Sequence, residues 1–197
     1  MPRSGLVVVT APTVEPVTAT EAKDWARITV TVEDSLVEGL ITNARERFEE
    51  DTGRVLITQT WDYFLPSFPE EIEVPLPRLQ SVTSVKYIDT DGAQQTLATS
   101  EYTVDTRSDP GRIVLAYGKA WPSIREVPNA VEVRFVAGYG PAGSDVPRQI
   151  RDALKAMTAA LYENREPVTE ALTGQQLTQV PIAYRDVVEQ YRVLSWV

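Results

Sequence analysis

Two amphipathic helical segments enclose a stretch that proline keeps from being helical, and this arrangement limits what the chain can fold into. Pro66, Pro69, Pro75 and Pro77 follow one another closely; each lacks a backbone donor, and its ring clashes with the preceding helical turn. They leave room only for a short edge strand near Ile72–Val74. Around them the period of the apolar residues is two. Val55, Ile57, Gln59, Trp61, Tyr63 and Leu65 share one face, and Val131, Val133, Phe135 and Ala137 alternate with Glu132, Arg134 and Val136. Asp89-Thr-Asp-Gly92 is a hairpin turn signal between strands at 81–89 and 94–97, and Asp109-Pro-Gly111 separates a second pair at 102–106 and 112–116. Hairpin spacing of this kind predicts an antiparallel sheet with one wet face.

The flanking segments change period. Thr18-Ala-Thr-Glu21 is a capping-box pattern opening a short helix with Ala22, Trp25 and Ala26 on one face. From Thr31-Val-Glu-Asp34 a longer helix carries Leu36, Val37, Leu40, Ile41, Ala44 and Phe48 at a 3.6-residue spacing, and Gly53 supplies a left-handed C-cap. Burying that set contributes on the order of 10 kcal/mol before conformational entropy is charged against it. Pro147 fits the first turn of a third helix, lined by Ile150, Ala153, Leu154, Met157 and Leu161. Residues 164–180 hold few large apolar side chains and read as a linker. Beyond them Tyr184, Val188, Tyr191 and Leu194 share a helical face, and Trp196 adds an aromatic anchor. The fold class this predicts is α+β. A small helical bundle (18–53 and 144–163) is interrupted by an antiparallel β region (54–143), with an extended arm at 1–17 and a detachable docking helix at 181–197.

The chemistry of the chain is restricted. Its 197 residues include no histidine and no cysteine, which removes the commonest general base, the commonest metal ligand and the best side-chain nucleophile. The net charge is −9, and residues 1–53 hold 10 of the 28 acidic side chains against 5 basic ones. No basic stripe of the kind that grips duplex DNA is present. The apolar run at 6–9 is too short for a secretory core and no segment approaches a membrane span, so a cytoplasm-like milieu is expected.

Three motifs invite a ligand. Gly138-Tyr-Gly140-Pro-Ala-Gly143 has the G-x-G-x-x-G form, but no strand follows the next helix to complete a βαβ unit, and Pro141 removes a donor from any phosphate nest. Asp89-Thr-Asp-Gly92 begins like a calcium loop, yet the twelfth position is Ser100 instead of glutamate. Glu49-Glu50-Asp51 could serve a hard cation or be a solvated helix end, unfavourably placed against the helix dipole. No catalytic residue, metal site or cofactor is expected.

Several separated motifs resemble one family. Residues 33–60 (the helix, Asp-Thr-Gly-Arg, then Leu-Ile-Thr-Gln-Thr-Trp), Asp109-Pro-Gly-Arg-Ile, Tyr117-Gly-Lys-Ala-Trp-Pro, Val133-Arg-Phe-Val-Ala-Gly-Tyr-Gly and Leu161-Tyr-Glu-Asn-Arg-Glu are similar to the head–tail connector, or adaptor, family of long-tailed phages, prophages and gene transfer agents. The resemblance runs from residue 18 to about 194 and leaves out the opening arm. It implies a structural virion neck component that docks on the portal protein and forms a ring of about twelve copies. The ring would extend the DNA channel and present a platform for a stopper or tail terminator. Under it Tyr184, Val188, Tyr191, Leu194 and Trp196 would bind the portal, and Glu46, Glu49, Glu50 and Asp51 would line the channel, repelling DNA so that it slides without specific binding. A tail-completion structural protein, or a carbohydrate- or nucleotide-handling enzyme, are the alternatives.

Overall fold

The computed structural model describes residues 5–29, 33–163 and 180–193. The chain forms two compact units, each assembled from two separate stretches: Met1–Thr13 with Gly53–Pro141, and Val14–Thr52 with Ala142–Val197.

The first unit is β. Its strands are β1 (Leu6–Thr10), β2 (Gln59–Leu65), β3 (Ile72–Val74), β4 (Leu79–Ile88), β5 (Gln94–Thr96), β6 (Tyr102–Asp105), β7 (Gly111–Leu115) and β8 (Val131–Ala137). They make two sheets where the sequence suggested one. Five strands run in the order β1-β2-β8-β4-β5 and three in the order β3-β7-β6, and every named pair is antiparallel. β8 occupies the centre because its inward residues are wholly apolar. Trp61, Phe135 and Val82 lie side by side across three strands, as do Tyr63, Val133 and Val85. This face shares one core with Ile72, Val74, Tyr102 and Ile113 of the smaller sheet. Gly111 marks the close approach of the two sheets: a Cβ there would sit 2.6 Å from the Cβ of Leu79. The opposite face of the larger sheet is polar, with Asp62 and Arg134 joined by two 2.8 Å bonds and Lys86 3.2 Å from Glu132.

The stretch expected to be an extended arm is therefore divided. Leu6–Thr10 is an edge strand paired with β2, and Val17 is buried in the second unit. β-Branched residues in succession favour a pleated strand, and the neighbouring prolines at 2 and 12 fall outside it.

The second unit is helical: α1 (Ala19–Ala26), α2 (Asp34–Thr52), α3 (Arg148–Glu163) and α4 (Ile182–Tyr191). The capping box forms as its pattern requires. The Glu21 amide donates to Thr18 Oγ1 at 3.2 Å, and the Thr18 amide donates to Glu21 Oε2 at 2.9 Å. Val37, Ile41, Ala44 and Phe48 of α2 are buried, as are Ile150, Ala153, Leu154 and Met157 of α3. Leu36 and Trp25 depart from their expected faces and stay largely exposed; Lys155 sits 5.0 Å from the Trp25 ring centre, a cation–π contact. α3 packs against α1, α2 and α4, and α4 also packs on α2. No helix among the described residues is long and apolar enough to cross a membrane.

Candidate interaction surfaces

The two expected sites meet at the C-terminal end of α2, and several of their residues serve the fold. Tyr184 is 1% exposed and Val188 6%. The Tyr184 ring meets Phe48 edge to face at 5.9 Å, and its hydroxyl donates to Asp51 at 3.1 Å. Burial, reinforced by the Asp51 carboxylate, pushes the Tyr184 hydroxyl well above the ordinary tyrosine pKa. The Val193 amide donates to the Thr52 carbonyl at 2.9 Å, and Arg192 Nε to the Asp51 carbonyl at 3.3 Å. So α4 is docked on its own unit, and Tyr184 and Val188 are core residues in place of the surface anchors the sequence suggested. The physical reason is that α4 packs on α2 and α3, with the Tyr184 ring set edge-on against Phe48. Tyr191 is half-buried, with its hydroxyl 3.3 Å from Gln149 Oε1. Leu194 and Trp196 lie outside the described residues. Exposed on α4 are Ile182, Ala183, Arg185, Asp186, Glu189 and Gln190.

The acidic set also separates. Glu49 is only 4% exposed and accepts from Arg45 Nη1 at 3.0 Å. Its expected place on a channel wall is corrected: it is a buried partner. Arg45 further reaches Glu15 at 2.8 Å and Glu46 at 3.5 Å. Burial alone would lower the Arg45 pKa, but the surrounding carboxylates, Glu49 foremost, outweigh it and raise the value. Asp51 is half-buried and occupied by Tyr184, with Arg47 at 3.8 Å. Glu46 and Glu50 remain on the exposed side of α2. The sequence reading missed the Arg45–Glu49 pair, for which the i, i+4 spacing was the available signal; the Glu15 contact, thirty residues distant, left no such signal.

The remaining motifs act structurally. A Cβ on Gly138 would sit 2.6 Å from the Ile57 carbonyl oxygen, and the Thr58 amide donates to the Gly140 carbonyl at 3.0 Å. Gly138 admits a neighbouring backbone at a positive φ, which is a structural reason for a glycine there. Asp89 caps its own turn: Oδ1 accepts from the Asp91 and Ala93 amides, and Oδ2 from Gln95 at 2.8 Å. The Gln95 bond and these amides hold its pKa below the usual carboxylate value. Asp109 accepts from Arg54 at 2.9 Å, joining two of the resembling motifs. Trp121 stacks on Phe68 at 4.7 Å, Arg78 lies 5.5 Å from the Tyr139 ring centre, and Tyr162 donates to Glu33. A hollow of about 440 Å³ in the helical unit is lined by Val14, Val17, Glu38, Ile41 and Thr42, with Glu15 at its wall held by Arg45 and Thr42. No group of three or more potential metal ligands occurs among the described residues.

The class so defined is an α+β protein of one helical unit and one unit of two antiparallel sheets. No protein-family model matches the sequence, and no curated protein does. Among solved structures, the chain is similar in fold to a chain of the virion of a native gene transfer agent (GTA) particle, at 21% identity and a TM-score of 0.77, with 98% of this chain and 97% of that chain covered. It is likewise similar to a chain in the neck of an empty GTA particle computed with C6 symmetry, at 22% identity and 0.77. A chain in the neck of a native GTA particle computed with C12 symmetry gives 21% and 0.71. Both neck comparisons cover 98% of this chain and 97% of the other. The likeness is one of fold, carried across nearly the whole of each chain.

Proposed function

We propose that this chain is a structural neck component, a non-catalytic adaptor whose copies form a ring of about twelve joining the portal of a DNA-filled head to the tail. The observation that carries the reading is the shared fold with neck chains of a GTA particle over 98% of this chain. In this reading Glu46 and Glu50, the exposed members of the acidic set, face the DNA path, where like charge keeps the duplex mobile. Portal contact falls to the C-terminal segment through Tyr191, Leu194 and Trp196, while Tyr184 and Val188 hold α4 in place. Many weak contacts engaged together supply the affinity. The other face of the ring receives the stopper or tail terminator.

The test is negative-stain imaging of purified protein mixed with DNA-filled, tailless heads bearing the matching portal. A ring of added density at the portal vertex is expected, and removal of residues 194–197 should abolish it. Heads that stay bare at saturating protein concentration overturn the reading.

A further inference from the structure

We propose that the open edge of β1 is a contact between copies of this chain, taken up by the β5 edge of a neighbouring copy, so that the larger sheet continues from one molecule into the next. The choice of a head-to-tail contact rests in part on the ring reading above; the edge chemistry does not.

β1 and β5 lie at opposite ends of the five-stranded sheet, and among the described residues no strand covers the outer side of either. Proteins usually guard such edges with charge, proline or a bulge. Leu6–Thr10 contains no charge and no proline, and Val7, Val8 and Val9 are 53%, 45% and 42% exposed. Its one irregularity falls between Val8 and Thr10 and leaves the stretch from Leu6 to Val8 in register with Tyr63, Asp62 and Trp61. The Phe64 amide donates to the Gly5 carbonyl at 2.7 Å. In an antiparallel ladder this makes Gly5 and Val7 the residues bonded to β2, so the N–H and C=O groups of Leu6 and Val8 are turned outward. An alternating set of donors and acceptors flanked by valine is the template on which an added strand pairs.

Charge admits a second copy as the occupant at these edges. Each molecule carries −9, so most surfaces of two copies repel. The two edges are exceptions: β1 is uncharged, and β5 presents Gln94, Gln95 and Thr96, all exposed and all neutral. Asp62, opposite Val7, is already paired with Arg134 through two bonds. Pairing β1 with β5 therefore sets no like charge against like. Direction agrees as well. Four antiparallel steps separate the two strands, so they run the same way, and repeating one operation brings β1 of each copy alongside β5 of the last. Such a contact propagates from copy to copy, as a ring requires, whereas β1 against β1 is two-fold and stops at a dimer.

The chain has no native cysteine, so introduced thiols report the contact directly. Val8→Cys is combined in turn with Gln94→Cys, Gln95→Cys and Thr96→Cys. Paired strands lie about 4.8 Å apart, within disulfide reach. The isolated protein is oxidised at high concentration in about 0.5 M salt, which screens the repulsion between copies. A ladder of covalent dimers, trimers and larger species on a non-reducing gel is expected from at least one pair. Val8→Cys alone should give no more dimer than an exposed cysteine elsewhere, such as Ser123→Cys. In sedimentation at the same salt, Val8→Lys should shift the associating protein to monomer with its circular dichroism unchanged. Covalent dimer from Val8→Cys alone, no ladder from any pair, or undiminished association of a folded Val8→Lys protein each overturns the proposal. No head or portal is present, so a missing ladder leaves the neck reading standing, and bare heads in the imaging experiment leave a ladder unexplained by it.

Discussion

Replacing Tyr184 tests whether α4 is part of the helical unit or an arm resting on it. The side chain is 1% exposed, meets Phe48 at 5.9 Å and 84°, and bonds Asp51 at 3.1 Å. Truncating a buried aromatic to alanine costs about 3 to 5 kcal/mol, of which the edge-to-face pair accounts for about 1 kcal/mol. For a chain of this size each kcal/mol lowers Tm by about 2 to 4 °C, so Tyr184→Ala should lower the midpoint of the helical unit by about 6 to 20 °C. Tyr184→Phe keeps the ring and loses only the Asp51 bond, a cost of about 1 kcal/mol. The pair also predicts a pH dependence. The folded state raises the Tyr184 pKa above its ordinary 10.0, so the contribution is fully present below pH 10 and is lost as the pH rises further and the unfolded chain ionises first. Alkaline destabilisation should therefore be steeper in the native protein than in Tyr184→Phe. The assay is thermal unfolding followed by far-ultraviolet circular dichroism between pH 7 and 11. A Tyr184→Ala midpoint within 2 °C of the native one would refute the reasoning.

Two other substitutions address the corrected residues. Arg45→Met strands Glu49 in a buried position and should cost about 3 to 5 kcal/mol in urea unfolding, while adding Glu49→Met should recover more than half of it; a single variant as stable as the native protein would mean that the pair is solvated. Gly138→Ala, with φ at 129° and no room for a Cβ beside the Ile57 carbonyl, should lose on the order of 3 kcal/mol. NAD and ATP should leave the native Tm unchanged in a thermal-shift screen, and a rise of several degrees would return the Gly138–Gly143 turn to the nucleotide reading.

What could be read from the sequence was whatever local periodicity encodes. Phe48 and Ile41 declared the inward face of α2, Thr18 and Glu21 its neighbour's start, and Asp89 to Gly92 a hairpin. Non-local partners were hidden. Val131–Ala137 reads as a strand, but nothing in it says that its neighbours are β2 and β4. Leu6–Thr10 was masked by prolines on either side. Glu49 looked like one more solvated acid at a helix end until Arg45 and Glu15 were seen to share a buried site. Tyr184 and Tyr191 look alike in sequence, yet the first is buried and the second half-exposed, because their positions on α4 differ by nearly two turns and only the packing surface of α2 distinguishes them.

Because each unit is made of two distant stretches, its completion on the ribosome is delayed. α2 ends at Thr52 and α4 begins at Ile182, which at common synthesis rates is a wait of roughly 7 to 26 s. For most of that interval Ile41, Ala44 and Phe48 lack α3, and for all of it α4, to cover them. The same holds for the larger sheet, whose central strand β8 is the last of its five to be translated. Nascent chains of this protein are thus committed to hold two half-built cores open at once, and holdase chaperones that bind apolar segments should be found on them until residue 191 has cleared the exit tunnel.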